Sequence, residues 1–380
     1  MVPFDFQPRT RVIFGRDSSE RTGHLARDLG FARVLLVADP GIVAAGHAVA
    51  IQRLLEAASI SVVRFSEFGE NPDSDMVAAG AALAAPHHVD SMVAVGGGSS
   101  LDCAKGINFL LTNGGIMADY RGYGRAARPL LPMIALPTTA GAGSDAQSYA
   151  VISDAQSRMK MACGDPSAAF RIALLDPVLT ATAPRLVAAL AGIDAIAHAV
   201  ETAVTTRRTA LSEMFSRQAW RLLSDAFERV LLHPTDIEPR ATMLIGSHLA
   251  GCAIELSMLG AAHACANPLT ARFNLAHGLA LAILLPHVVR WNGAVAAGGY
   301  AALLGSPRRR MRDVEAAEAL ALRLEDFART ASLPAKLSDA GVVREALPGL
   351  AELAAQQWTG TFNPRPFDAA RALELYEAAY

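Results

Sequence analysis

The chain has 380 residues, of which 52% are hydrophobic and only 18% charged, and its formal net charge is −2. That length exceeds one ordinary core and points to two domains. The balanced charge excludes the electrostatic footprint of a nucleic-acid or anionic-membrane binder, and the shortage of charge leaves apolar surface for a subunit interface.

In chain order, residues 11–14 before Gly15 read as a short strand and 19–29 as an amphipathic helix. Residues 33–39 form a buried strand ending in Asp39, closed by Pro40-Gly41. A helix over 44–57, a strand over 61–65, a loop containing Asn71-Pro72, a helix over 74–85 and a strand over 91–95 follow. This alternation predicts a parallel sheet covered on both faces.

The last of these strands runs into Gly96-Gly97-Gly98-Ser99-Ser100-Leu101-Asp102, which opens a helix. Glycines let a ligand approach the backbone, and a helix N-terminus offers free N–H groups to a phosphate. An ordinary tight strand-to-helix turn needs fewer glycines and hydroxyls than this. A strand over 132–137 leads into a second loop of similar chemistry, Thr138-Thr139-Ala140-Gly141-Ala142-Gly143-Ser144-Asp145. Neither loop has the GxGxxG spacing of a plain dinucleotide fingerprint. Asp39 stands where a carboxylate accepts ribose hydroxyls and repels a 2′-phosphate, which favours NAD over NADP. Its local alternative is a cap on the turn at Pro40.

After Asp176-Pro177 the pattern turns helical, with helices expected at 186–203, 209–231, 238–256, 259–266, 276–290, 313–331 and 367–378. The expected architecture is an α/β nucleotide-binding domain with a parallel sheet over 1–180 and an all-helical domain over 181–380. In the first of these helices Asp194 and His198 are four residues apart and stack on one face. A buried Asp needs a partner. That partner is either the histidine alone, pinning the helix, or a metal, with Glu201 behind the ligands. His263 and His277 lie fourteen residues apart, and Pro268 is expected to break the helix between them, placing the two on adjacent converging segments. One carboxylate and three imidazoles make a metal site with a coordination position to spare. A cleft between the domains would bring cofactor and metal together.

Four cysteines without a CxxC pair read as free thiols in a reducing compartment. The N-terminus lacks the basic and apolar regions of a leader. No apolar run reads as long enough to span a bilayer, because Asn274, His277, Pro286 and His287 interrupt 273–289. A cytoplasmic protein is expected.

The motifs Gly96-Gly97-Gly98-Ser99-Ser100-Leu101-Asp102-Cys103-Ala104-Lys105, Pro137-Thr138-Thr139 through Ser144, Asp176-Pro177, Gly192-Ile193-Asp194…His198…Glu201 and His263…His277-Gly278 together resemble the iron-containing (group III) alcohol dehydrogenases, of the dehydroquinate-synthase-like fold. The likeness runs nearly end to end. It implies a metal, Fe²⁺ or in some members Zn²⁺, on Asp194, His198, His263 and His277. It implies a pyrophosphate loop at Gly97, Gly98, Ser99 and Asp102, and a second nucleotide loop at Thr138, Thr139 and Ser144. Asp39 becomes the ribose-reading acid, and Asn71 and Lys160 further cofactor contacts. The expected activity is NAD(H)-linked hydride transfer between a small alcohol and an aldehyde or ketone, in a homodimer or larger assembly. The chain departs from the family at Asn267, where a histidine near the nicotinamide is usual; an amide there cannot carry a proton. Ala142 and Asp145 replace the usual Thr and Glu. Alternatives are a reductase of acidic or otherwise functionalised carbonyls, such as a maleylacetate-type reductase, and a silent nucleotide- and metal-binding protein.

Overall fold

The computed structural model describes residues 3–305 and 313–380. The chain divides into two compact units, one of Phe6–Ala183 and one of Pro184–Tyr380 together with the N-terminal residues up to Asp5.

The first unit contains β1 (Arg11–Phe14), α1 (Thr22–Asp28), β2 (Arg33–Val37), α2 (Pro40–Ala44), α3 (His47–Ala57), β3 (Ser61–Phe65), α4 (Ser74–Ala84), β4 (Ser91–Gly96), α5 (Gly98–Asn113), β5 (Gly122–Tyr123), β6 (Met133–Pro137), β7 (Tyr149–Ser153), β8 (Lys160–Gly164) and β9 (Ile172–Leu175). Six strands form a parallel sheet in the order β1-β9-β6-β4-β2-β3. Alternate residues face opposite sides, so a strand covered on both faces must be apolar throughout. Leu35, Val37, Met92, Ala94, Met133 and Ala135 join one core; Val34, Leu36, Val93, Val95, Ile134 and Leu136 join the other. Each large side chain so buried contributes about 1.5–3 kcal/mol.

The chain steps from β2 out to β3, then back past β2 to β4. Winding therefore reverses between β2 and β4, and the loops leaving their carboxyl ends diverge to leave a crevice. A second sheet, β5-β8-β7, was not expected from the sequence. Its strands are short, and although β7 and β8 alternate in burial, Ala150-Val151-Ile152 and Met161-Ala162-Cys163 are apolar throughout, so no polar–apolar alternation announces them.

The second unit contains α6 (Arg185–Thr202), α7 (Ala210–Leu232), α8 (Ile237–Leu256), α9 (Ala261–Phe273), α10 (His277–Leu303), α11 (Asp313–Thr330), α12 (Leu347–Ala355) and α13 (Ala369–Ala378). Gly278 decides one contact. A Cβ there would lie 2.2 Å from the carbonyl oxygen of Leu190, so the start of α10 seats directly on α6. Gly192 likewise admits the ring of Phe227, which a Cβ would meet at 2.7 Å.

Four expectations need correction. The helix of His263 does not break at Pro268 but continues to Phe273. A single proline removes one backbone hydrogen bond, whereas Asn274, at φ +52°, turns the chain out of the helix. Pro40-Gly41 opens a helix rather than closing a strand, because Asp39 caps it through Ile42 N, and the helix expected at 44–57 begins only after Gly46. The helix at 347–355 was missed. Finally, α10 extends 27 residues and has the length and hydropathy of a membrane span, yet 67% of its most apolar window is buried inside the protein, as in a core helix.

Candidate functional site

The helical unit gathers four ionisable side chains from three helices. Asp194 and His198 face the same way from α6, His263 lies in the first turn of α9, and His277 opens α10. Asp194 Oδ1 is 3.2 Å from Nε2 of His198, 3.4 Å from Nε2 of His263 and 3.8 Å from Nε2 of His277. The ligand atoms of Asp194, His263 and His277 all lie within 4.8 Å of one another, the one such metal-competent group among the described residues. His198 joins through Asp194 and by stacking on His263, with ring centroids 4.9 Å apart.

These spacings are also those of atoms arranged around a cation. Atoms around a first-row ion at about 2.0–2.2 Å stand about 3.4 Å apart in a tetrahedral array. Asp194 Oδ1 and His263 Nε2 are buried with no hydrogen-bond partner among the described residues, despite their proximity. They converge without pairing, as ligands of a shared ion do. Burial alone would raise the Asp194 carboxyl, but His198, aided by His263 and His277, carries it well below the usual range. For His263, burial acts downward and is outweighed by Glu201 and Asp194, which lift it to about 9. Glu201 Oε2 lies 2.5 Å from His263 Nδ1, so Glu201 orients the ring and leaves Nε2 turned toward Asp194. The sequence placed Glu201 behind the cluster; the structure shows that it serves the histidine of another helix.

The α/β unit brings its own candidates to the crevice between β2 and β4. Asp39 accepts from Ser100 Oγ at 2.9 Å and from Ile42 N at 3.1 Å. Asn71 N donates to Ser99 Oγ at 3.2 Å. Thr138 N donates to Gly96 O at 2.9 Å, and its buried Oγ1 has no hydrogen-bond partner among the described residues. A Cβ on Gly97 would lie 3.1 Å from Thr139 Oγ1, and one on Gly98 would lie 2.5 Å from Ala142 Cβ, so the two glycine-bearing loops touch. The N-terminus of α5 has no side-chain cap, which leaves its N–H groups available to an anion.

Asp102 and Ser144 are instead engaged with each other. Ser144 Oγ donates to Asp102 Oδ1 at 2.5 Å, and Asp102 Oδ2 also accepts Val151 N at 3.3 Å. Burial raises the Asp102 carboxyl, with Lys105, Ser144 and Lys160 opposing. Lys105, fully buried, donates to Ser144 O, Ser144 Oγ, Gln147 O and Tyr149 O. It pins the second loop to α5, a role that its place in the motif did not announce. Lys160 opens β8 opposite Ser153. Asn267, buried in α9, donates to Gln357 Oε1 at 3.1 Å, a partner ninety positions away that no local pattern signals.

The profile of the iron-containing alcohol dehydrogenases matches residues 8–177, and that of the family's C-terminal domain matches residues 188–380. The chain is 30% identical to alcohol dehydrogenase 4 of Saccharomyces cerevisiae, covering 97% of this chain and 96% of the yeast protein. It is 29% identical to the NAD-dependent methanol dehydrogenase of Bacillus methanolicus, covering 95% of each. A crystal structure of 1,3-propanediol oxidoreductase superposes with a TM-score of 0.95 at 28% identity, over the whole of both chains.

Proposed function

The chain belongs to the iron-containing alcohol dehydrogenase family and interconverts an alcohol with an aldehyde or ketone by metal-dependent, NAD(H)-linked hydride transfer; from that premise we propose which residues perform the reaction. Asp194, His198, His263 and His277 hold a divalent cation, Fe²⁺ in the native enzyme with Zn²⁺ as a substitute. The observation that carries this is the convergence of three imidazole Nε2 atoms on Asp194 Oδ1 at 3.2–3.8 Å. When bound, the cation supplies Lewis acidity toward the substrate oxygen.

The chain's own residues prepare that position. Asp194 offsets part of the ionic charge, and Glu201, accepting from Nδ1 of His263, leaves Nε2 of that ring to face the cation once its proton is displaced. In the crevice, Gly97, Gly98 and the start of α5 receive the pyrophosphate, with Ser99 and Asn71 closing one side and Thr138 and Thr139 the other. Asp102, Ser144 and Lys160 shape that loop. Asp39 reads the adenosine ribose, held in orientation by Ser100, and selects NAD over NADP. Asn267 carries no proton; its amide is fixed by Gln357, so proton exchange with solvent follows another route.

A homodimer is part of this reading. β1 is an edge strand, and its Val12 and Phe14 are 41% and 46% exposed, with no lysine or proline to blunt the edge. The four free cysteines fit a cytoplasmic setting. The test is anaerobic purification, loading with Fe²⁺, and a panel of small alcohols and aldehydes followed by nicotinamide absorbance. The reading expects turnover with NAD(H), abolished by chelation and restored by Fe²⁺; no turnover across the panel would overturn it.

A further inference from the structure

His263 sits in the first turn of α9, where backbone N–H groups have no partner within the helix. Helices usually meet this need with a local Ser, Thr, Asp or Asn. Here the residue before the helix is Gly260, which offers no side chain. The need is met from two distant places. Ala262 N donates to Glu201 Oε1 at 2.7 Å, and Ala261 N donates to Asn363 Oδ1 at 3.2 Å. A Cβ on Gly260 would lie 3.0 Å from both of those oxygens, so the glycine is what lets both caps approach.

Asn363 is built for this position. It is 5% exposed, and its Nδ2 donates to Asn292 Oδ1 at 2.9 Å and to Arg365 O at 2.8 Å. Its Oδ1 accepts Asn292 Nδ2 at 3.0 Å as well as Ala261 N. Both donors and both lone pairs of the amide are used, which fixes its orientation. Asn292 on α10 therefore locks the amide, and Asn363 in turn locks the turn that carries His263. The same C-terminal stretch grips α9 again through Tyr376 OH, which donates to Cys265 O at 2.7 Å.

We propose that Asn363, locked by Asn292, is a positioning residue for the metal: it completes a two-part cap on α9 with Glu201 and so fixes the direction of His263 Nε2. The proposal rests on the metal assignment above. Removing Asn363 leaves the Ala261 N–H buried without a partner and frees the first turn to rotate. Glu201 then holds the ring at Nδ1 on a backbone that no longer stays in place.

The test uses the full chain, stripped of metal and titrated with Co²⁺ against a chelator. The readouts are the Co²⁺ dissociation constant, the visible Co²⁺ spectrum and the melting temperature of the metal-free protein. Wild type binding one Co²⁺, and His263→Ala failing to, establishes the metal assignment; if wild type does not bind, that assignment fails, and this proposal with it. If wild type binds, Asn363→Ala is expected to weaken Co²⁺ by about tenfold or more, in the range seen when groups behind metal ligands are removed, and to alter the spectrum. Asn292→Ala, which leaves Asn363 present but unlocked, is expected to fall between the two. Unchanged affinity and spectrum in folded Asn363→Ala would overturn the positioning role, whatever the melting temperature does. If Asn363→Ala does not accumulate as folded protein, Asn292→Ala decides on the same readouts, and wild-type affinity and spectrum in that variant overturn the proposal.

Discussion

The two units prepare for their ligands by opposite means. The α/β unit presents backbone and hydroxyls: glycines at strand ends, an uncapped helix start and serine or threonine oxygens. Of its charged groups, Lys105 and Asp102 brace the loops, and Asp39 alone is offered at the crevice in this reading. The helical unit presents charge itself, a buried carboxylate and three imidazoles, on helices held by tethers distant in sequence. The first site is sensitive to added volume, the second to lost charge and lost orientation. This contrast can be tested one substitution at a time.

The largest effect is expected on the charged side. His263→Ala removes one proposed ligand and strands Glu201. Iron content and turnover should both fall, with kcat/KM down by about 10³-fold or more, the scale expected when a metal ligand and its chemistry are removed together. NAD⁺ affinity, measured by fluorescence titration, should stay near wild type. A parallel loss of NAD⁺ binding would break the separation between the units.

Next comes added volume. In Gly98→Val even the first side-chain carbon would lie 2.5 Å from Ala142 Cβ, so the two loops must part. KM for NAD⁺ is expected to rise by about tenfold or more while metal content is unchanged, because only cofactor binding is lost. A smaller change is expected at Asp39. Asp39→Ala should lower the preference for NAD over NADP by about tenfold, since a repulsive charge and a hydrogen bond go together. An unchanged ratio would show that the acid only caps α2.

The smallest effect concerns pH. In the metal-free protein burial pushes His263 down, but Glu201 and Asp194 outweigh it and raise the group from 6.5 to about 9. A raised histidine stabilises the fold fully below pH 6.5 and loses that contribution as pH rises through 9. Asp194, lowered, contributes above its ordinary value and loses its contribution only in strong acid. Metal-free protein should therefore melt a few degrees lower at pH 9.5 than at pH 6.5, about 2–4 °C per kcal/mol for a unit of this size. His263→Ala should lack that decline. Metal uptake between these pH values should release a proton.

The contrast also explains what the sequence could disclose. Strands buried on both faces leave unbroken apolar runs, and glycine-rich turns leave a composition; both are local, and both were legible. Asp194 and His198 were legible because a helix repeats at nearly four residues. The convergence of His263 and His277 was expected, but through a break at Pro268 that lies instead at Asn274. The tethers were invisible. Asn363 reaches Ala261 across 102 positions, Gln357 reaches Asn267 across 90, and Ser100 reaches Asp39 across 61. Such bonds arise from packing: Asn363 and Gln357 lie between helices, and an amide there carries no mark of the partner that folding will bring to it.

The central claim is one cation held by four side chains. Crystals grown anaerobically with Fe²⁺, with diffraction recorded on either side of the iron absorption edge, test it directly. The claim predicts a single anomalous peak within about 2.3 Å of Asp194 Oδ1 and of Nε2 of His198, His263 and His277. Iron-bearing crystals with the peak elsewhere, or a cluster closed by hydrogen bonds among the four side chains, would contradict it.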